Sequence, residues 1–203
     1  MKPIVQPNTL ILASNSPRRK YLLEQAGIAV DVIPGDFDES TVAPDEPRPY
    51  TSRLSQAKAE TVAVRYPQRW VLGADTIVSI HGAVLGKPDS QTSARCMLEQ
   101  LSGQTHQVYT GFTICRLDPN SRHTEVVSTD VTFKSLSKDE IDWYIHTNEP
   151  FGKAGAYAIQ GLGTFLVRSI NGSYTNVVGL PVCEVIETLI RQKVIQLPNR
   201  QAP

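Results

Sequence analysis

Thr9 to Gly27 reads T-L-I-L-A-S-N-S-P-R-R-K-Y-L-L-E-Q-A-G, a short apolar strand joined to a helix through a serine-rich bend. Ser16 is a good N-cap, Pro17 suits the first helical position because its missing N–H would have no partner there, and Gly27 is a C-terminal stop. The spacing therefore predicts a helix starting at Pro17. The free N–H groups of its first turn, its positive dipole end, the hydroxyls of Ser14 and Ser16, and the guanidinium groups of Arg18 and Arg19 form a set suited to phosphate. Taken alone, the same string also describes a capped surface helix with two solvated arginines.

Outward from this segment, helical and strand periods alternate, which favours an α/β architecture. Val30 to Ile33 reads as extended. From Pro49, Tyr50, Leu54, Ala57, Thr61 and Val64 recur at helical spacing, with Lys58 beside that face. Trp70 to Ala74 reads as a buried strand, continued by Thr76 to Ile80, and His81-Gly82 turns the chain into Ala83 to Leu85. Ser90 to Leu101 is a helix with Ala94, Met97, Leu98 and Leu101 on one side and Gly103 past its end. Gln107 to Leu117 and Glu125 to Phe133 are expected to pair antiparallel across Asp118-Pro119-Asn120-Ser121. Ser137 and Glu140 form a capping box that opens a helix through about Thr147. A glycine-rich run, Gly152 to Gly163, precedes strand-like Phe165 to Ile170, the turn Asn171-Gly172 and a last amphipathic helix over Pro181 to Gln196.

At 203 residues and 40% hydrophobic content, the chain is long enough to bury a core without metal or disulfide staples. One domain over 1–203 is expected, with a loose tail from about residue 198. Twenty basic residues balance twenty acidic ones, so no bulk field draws nucleic acid or anionic membrane, and any phosphate site must be local. Cys96, Cys115 and Cys183 are far apart and odd in number, and are read as packed, reduced thiols. Without an apolar h-region or a membrane-length apolar run, a cytoplasmic location is expected.

Several polar residues stand out. Asp75 interrupts a segment that otherwise reads as buried, where a lone carboxylate is costly unless paired; it also suits a turn at the strand's end. Asp38-Glu39 leads into a proline-containing loop, Lys58 sits among alanines, and Gly86-Lys87-Pro88 presents a lysine rigidly. Singly, each lysine is as well explained by a stem on apolar surface with its head in water. Jointly, a helix-terminus anion site, four cations and a few carboxylates near strand ends or loop edges are the mixture that polyphosphate chemistry needs.

The segments L-I-L-A-S-N-S-P-R-R-K-Y-L-L, V-L-G-A-D-T-I-V, L-G-K-P, L-S-G-Q-T-H-Q-V-Y-T, G-K-A-G-A-Y-A-I-Q-G-L-G and I-N-G-S-Y-T-N-V-V-G-L-P occur in that order between Leu10 and Pro181. Together they resemble the Maf family of nucleoside triphosphate pyrophosphatases. The resemblance implies an inosine triphosphatase-like α/β fold, an elongated mixed sheet with flanking helices and two lobes around a nucleotide cleft. It implies hydrolysis between the α- and β-phosphates with a divalent cation, magnesium or manganese. Asp75 matches the proposed proton acceptor; Glu39, Lys58 and Lys87 match the other charged catalytic positions, with Glu39 and Asp75 as metal ligands. Ser14 and Arg19 belong to the phosphate-binding segment. Water activated by Asp75, directly or through a metal shared with Glu39, would attack the α-phosphorus.

Family members that prefer dTTP and UTP carry the residues found here as Arg18, Thr76 and Gln160, which the resemblance assigns to substrate binding. A glutamine amide offers both a donor and an acceptor to a pyrimidine face. Modified pyrimidine nucleotides are a further substrate possibility, in a house-cleaning role. The alternative is a nucleotide-binding regulator of cell division or septum formation with little catalysis. A homodimer is expected by analogy only. Gly161 and Gly163 also hint at a dinucleotide fingerprint, but the third glycine is missing and the run leads into a strand rather than a helix.

Overall fold

The computed structural model describes residues 4–197, so the tail expected to be loose lies outside the described residues. Three strands, β1 (Leu10–Leu12), β2 (Val30–Val32) and β3 (Val71–Ile80), are parallel, with β1 in the middle. Helices α1 (Pro17–Gln25) and α2 (Pro47–Ala63) connect them. The sheet continues antiparallel through β4 (Ala83–Leu85), β5 (Thr105–Arg116), β6 (Ser121–Phe133) and β7 (Val167–Asn171). The order is β2-β1-β3-β5-β6-β7, with β4 paired to the far end of β3. Helices α3 (Gln91–Leu101), α4 (Lys138–His146), α5 (Tyr174–Val178) and α6 (Val182–Arg191) complete the chain. This mixed sheet with flanking helices is the fold class expected from sequence.

Side chains alternate along β3 and divide the core. Leu72 and Ala74 join Leu10, Leu12, Leu23, Phe112 and Leu189 in one apolar cluster. Further along the same face, Val78 and Ile80 join Leu98, Val131, Phe133 and Tyr144 in a second. Between them the face carries Thr76. On the opposite face, Val71 packs with Ile11, Ala59 and Val62 under α2.

That helix packs on a different stripe from the one its periodicity suggested. Buried are Thr51, Leu54, Ser55, Ala59, Val62 and Ala63, whereas Val64 is 70% exposed. The cause lies in the sheet. Gly73 and Gly111 let the helix approach so closely that a Cβ on either would lie 2.6 Å from α2 backbone, at Ala59 N and Thr51 O respectively. Only small side chains fit there, and their hydroxyls are satisfied locally: Thr51 Oγ1 donates to Pro47 O at 2.5 Å, and Ser55 Oγ lies 3.0 Å from Thr113 Oγ1. Hydrophobic periodicity within the helix cannot register a contact made by glycines on two strands of the sheet.

Most remaining expectations hold. Pro17 opens α1 and Gly27 ends it with φ +78°. His81-Gly82 turns with both φ positive, and Ser137 and Glu140 form the reciprocal capping box. Four details differ, the first being that β6 begins at Ser121, inside the expected turn, rather than at Glu125. Ser16 occupies the N-cap position without a side-chain cap; instead Ser16 N donates to Ser14 Oγ at 3.2 Å. Phe165 lies in a 3-10 turn, and the strand begins at Val167. The last helix starts at Val182 and ends at Arg191; a separate α5 precedes it, and Val194 and Ile195 fold back into the core.

Candidate active site

β1 pairs with β3 only at Val71 and Leu72, and β4 rejoins that edge at Val78. Residues 73–77 of β3 therefore border a notch. The bend after β1, the first turn of α1, the loop holding Glu39 and the glycine-rich run close around it as a cleft of about 490 Å³. Ser14, Ser16, Arg18, Arg19 and Glu39 line it from the N-terminal segments; Lys58, Asp75, Thr76, Lys87 and Gln160 line it from the rest of the chain. Every residue that the resemblance or the helix-terminus reading assigned to the site thus meets in one cavity, whereas Asp38 does not line it and instead accepts from Ser40 N at 2.9 Å. Asp75 does not turn the strand: it lies within β3, opposite Gly111 of β5, and is 7% exposed.

Arg19 is buried and held by three neutral acceptors. Its Nε donates to Gly179 O at 2.8 Å, Nη1 to Ser14 Oγ at 3.0 Å and Nη2 to Thr76 Oγ1 at 3.1 Å. No carboxylate among the described residues lies within ion-pair distance of it. Burial lowers its pKa, partly offset by the charge of Asp75. A fixed, desolvated guanidinium with donors to spare is primed for an anionic ligand. Thr76 is itself fixed by Thr110 Oγ1 at 2.9 Å, which donates to Asn176 O at 3.0 Å.

Lys58, brought to the notch by the close seating of α2, bridges the two carboxylates. Its Nζ donates to Glu39 Oε1 at 2.8 Å and to Asp75 Oδ1 through a short bond. Burial pushes the Glu39 carboxyl up, but the hydrogen bond and charge of Lys58, then the charges of Lys87 and Arg19, outweigh it and hold Glu39 below its ordinary value. Towards the glycine-rich run, Arg18 Nε donates to Val178 O at 3.3 Å. Lys153 shares that region: burial, then the charge of Arg18, lowers its pKa. Five cationic and two anionic side chains line the cleft of a chain whose formal charge is zero. The positive charge is concentrated locally in the cleft, in a chain that carries no bulk field.

Among the described residues no group of three or more His, Cys, Asp or Glu gathers as a metal-ligand set. Two carboxylates that already share one ammonium are nevertheless spaced to share a cation. Magnesium commonly takes one or two carboxylates and completes its shell with water and phosphate oxygens. Glu39 and Asp75 therefore fit such an ion without being a closed protein cage.

Sequence reasoning gave no role to Lys153, Thr110, Asn176 or the carbonyls of Val178 and Gly179. Lys153 was visible beside Gly152; the others have no signal before the fold brings them to Arg18, Arg19 and Thr76. The thiols are free, but only Cys115 is buried; Cys96 and Cys183 are exposed, which corrects the expectation that all three are packed. No helix among the described residues is long and apolar enough to cross a membrane.

The chain is 51% identical over 180 residues to the dTTP/UTP pyrophosphatase of Syntrophus aciditrophicus, covering 89% of this chain and 88% of that protein. The proteins of the same name from Syntrophotalea carbinolica and Geotalea uraniireducens are 48% and 47% identical, covering 93% of this chain and 86% and 97% of theirs. Residues 9–192, which carry every group lining the cleft, match the family profile described as "Maf-like protein", and the chain belongs to the Maf family.

Proposed function

We propose that this protein is a nucleoside triphosphate pyrophosphatase that hydrolyses dTTP and UTP to the monophosphate and pyrophosphate. The observation that carries the reading is the arrangement at the notch. Asp75 and Glu39 share Lys58 beside a buried arginine that has no carboxylate partner among the described residues. The relatives' shared name supplies the substrates.

In this reading the triphosphate occupies the cationic cleft, with Arg19, Lys58 and Lys87 on its phosphates. The Asp75 carboxylate, hydrogen-bonded to Lys58, accepts the proton of a water attacking the α-phosphorus. The bond from that phosphorus to the α,β-bridging oxygen breaks, and pyrophosphate leaves with the charge that the three cations neutralise. Glu39 and Asp75 would hold a magnesium or manganese ion, which when bound supplies charge neutralisation and lowers the pKa of coordinated water. Arg18, Thr76 and Gln160 border the remainder of the cleft and receive the nucleoside. A passive nucleotide sensor would use the cations, but has no need of a carboxylate buried in the sheet beside them.

A panel of nucleoside triphosphates assayed for pyrophosphate with magnesium or manganese tests this. Wild type should prefer dTTP and UTP. Asp75→Asn should lose about 10²-fold to 10⁴-fold in kcat while nucleotide affinity changes little. Equal pyrophosphate release by wild type and Asp75→Asn would remove the catalytic assignment.

A further inference from the structure

The glycines that fail as a dinucleotide fingerprint have a different reason to be there. Glu149, just past the end of α4, points its carboxylate into the run that follows. Oε1 accepts from Gly163 N at 2.8 Å and from the Tyr144 hydroxyl at 2.9 Å, and Oε2 accepts from Leu162 N at 3.0 Å. The Tyr144 hydroxyl in turn accepts from Ala158 N at 3.1 Å. One carboxylate and one phenol thus grip both sides of the segment Ala158 to Gly163, whose tip is Ile159-Gln160. Thr164 Oγ1 ties the segment further, donating to Gly161 O at 2.6 Å and to Ile159 O of the tip at 3.3 Å.

The glycines make room for this grip. A Cβ on Gly161, whose φ is +72°, would lie 2.5 Å from Glu149 Oε2, and one on Gly163 would meet Ala158 O and the Tyr144 hydroxyl. Little apolar packing shares the task, since Leu162 is 49% exposed and Gly161 and Thr164 are exposed as well. Tyr144, by contrast, is wholly buried in the second core cluster. Its phenol is pushed up by burial and by Glu149, so it stays protonated and donates. Burial also raises the Glu149 carboxyl, but the N–H groups of Leu162 and Gly163 prevail and hold it below its ordinary value.

The geometry points to Glu149, acting with Tyr144, as a positioning residue that sets base selectivity by fixing the loop that presents Gln160 to the nucleoside end of the cleft. Neither residue lines the cleft itself. The inference rests on the nucleotide reading above and deepens it: recognition of the base depends on a hydrogen-bonded carboxylate behind the loop, out of reach of the ligand. Glu149→Gln places an amide NH₂ against backbone N–H groups, and Tyr144→Phe removes the hydroxyl while keeping the buried ring.

The experiment measures dissociation constants for α,β-methylene UTP and α,β-methylene GTP by calorimetry, with kcat at saturating UTP and a thermal melt for each protein. Glu149→Gln and Tyr144→Phe should each cut the uridine-over-guanosine preference about tenfold, with kcat within about twofold of wild type. In a Gln160→Ala background, Glu149→Gln should cause no further loss of preference, because the two act through one contact. Unchanged preference in both single variants overturns the inference, and so does full additivity with Gln160→Ala, which a merely structural role would give. A wild type with no preference for the uridine analogue instead overturns the functional reading beneath it.

Discussion

Gly73→Ala should damage both stability and turnover, although residue 73 does not line the cleft. A Cβ there would sit 2.6 Å from Ala59 N, 2.7 Å from Ser55 O and 2.8 Å from Ala59 Cβ, against an ordinary contact of at least 3.4 Å. Two of the three atoms are backbone, so no side chain can swing aside. Relief requires α2 to retreat from the sheet by about 0.8 Å, the difference between 3.4 and 2.6. Overpacking of this kind costs about 1–3 kcal/mol. Lys58 neighbours Ala59 and moves with it, away from Asp75, which stays on β3 two residues beyond the mutation. Displacement of a catalytic contact by nearly 1 Å costs on the order of tenfold to a hundredfold in rate. Urea unfolding and pyrophosphate release measure the two effects. Gly86→Ala serves as the stability control, because a Cβ there meets nothing within 4 Å and the expected change is within about 0.5 kcal/mol. A Gly73→Ala protein with wild-type midpoint and kcat would refute the argument that close helix seating positions Lys58.

Further outcomes follow from the same geometry. Lys58→Met frees Glu39 and Asp75, so manganese binding without nucleotide should tighten, measured by electron paramagnetic resonance; unchanged affinity would mean that the ammonium does not occupy the cation's place. Arg18→Trp, Thr76→Gln and Gln160→Glu combined should shift preference away from dTTP and UTP in the substrate panel, and an unchanged profile would remove these residues from base recognition. His106 is buried, with Nε2 2.8 Å from the Tyr157 hydroxyl, and burial lowers its pKa from 6.5 to about 4. The unfolded chain takes up that proton first, so this stability is complete above pH 6.5 and declines by about 3 kcal/mol as the pH falls to 4. His106→Gln should flatten that limb of the stability profile, and identical acid limbs for the two proteins would contradict it.

Local chemistry wrote much of this protein legibly into its sequence. Pro17 and Gly27 mark the first helix, Ser137 and Glu140 the fourth, and His81-Gly82 the hairpin, because caps and turns are settled by neighbouring residues. Asp75 stood out because a carboxylate in an apolar strand demands a cation. Recurrence of several family segments in order then identified the charged set. The stripe α2 buries was a different matter: it depends on glycines in β3 and β5, and no pattern within the helix could report them. Only tertiary structure brought Lys58 between Glu39 and Asp75, gave Arg19 three neutral partners in place of a carboxylate, and set Glu149 behind the loop of Gln160. Those contacts join residues from separate elements, and their strength comes from burial and distance, quantities that exist only once the sheet has gathered its helices around the notch.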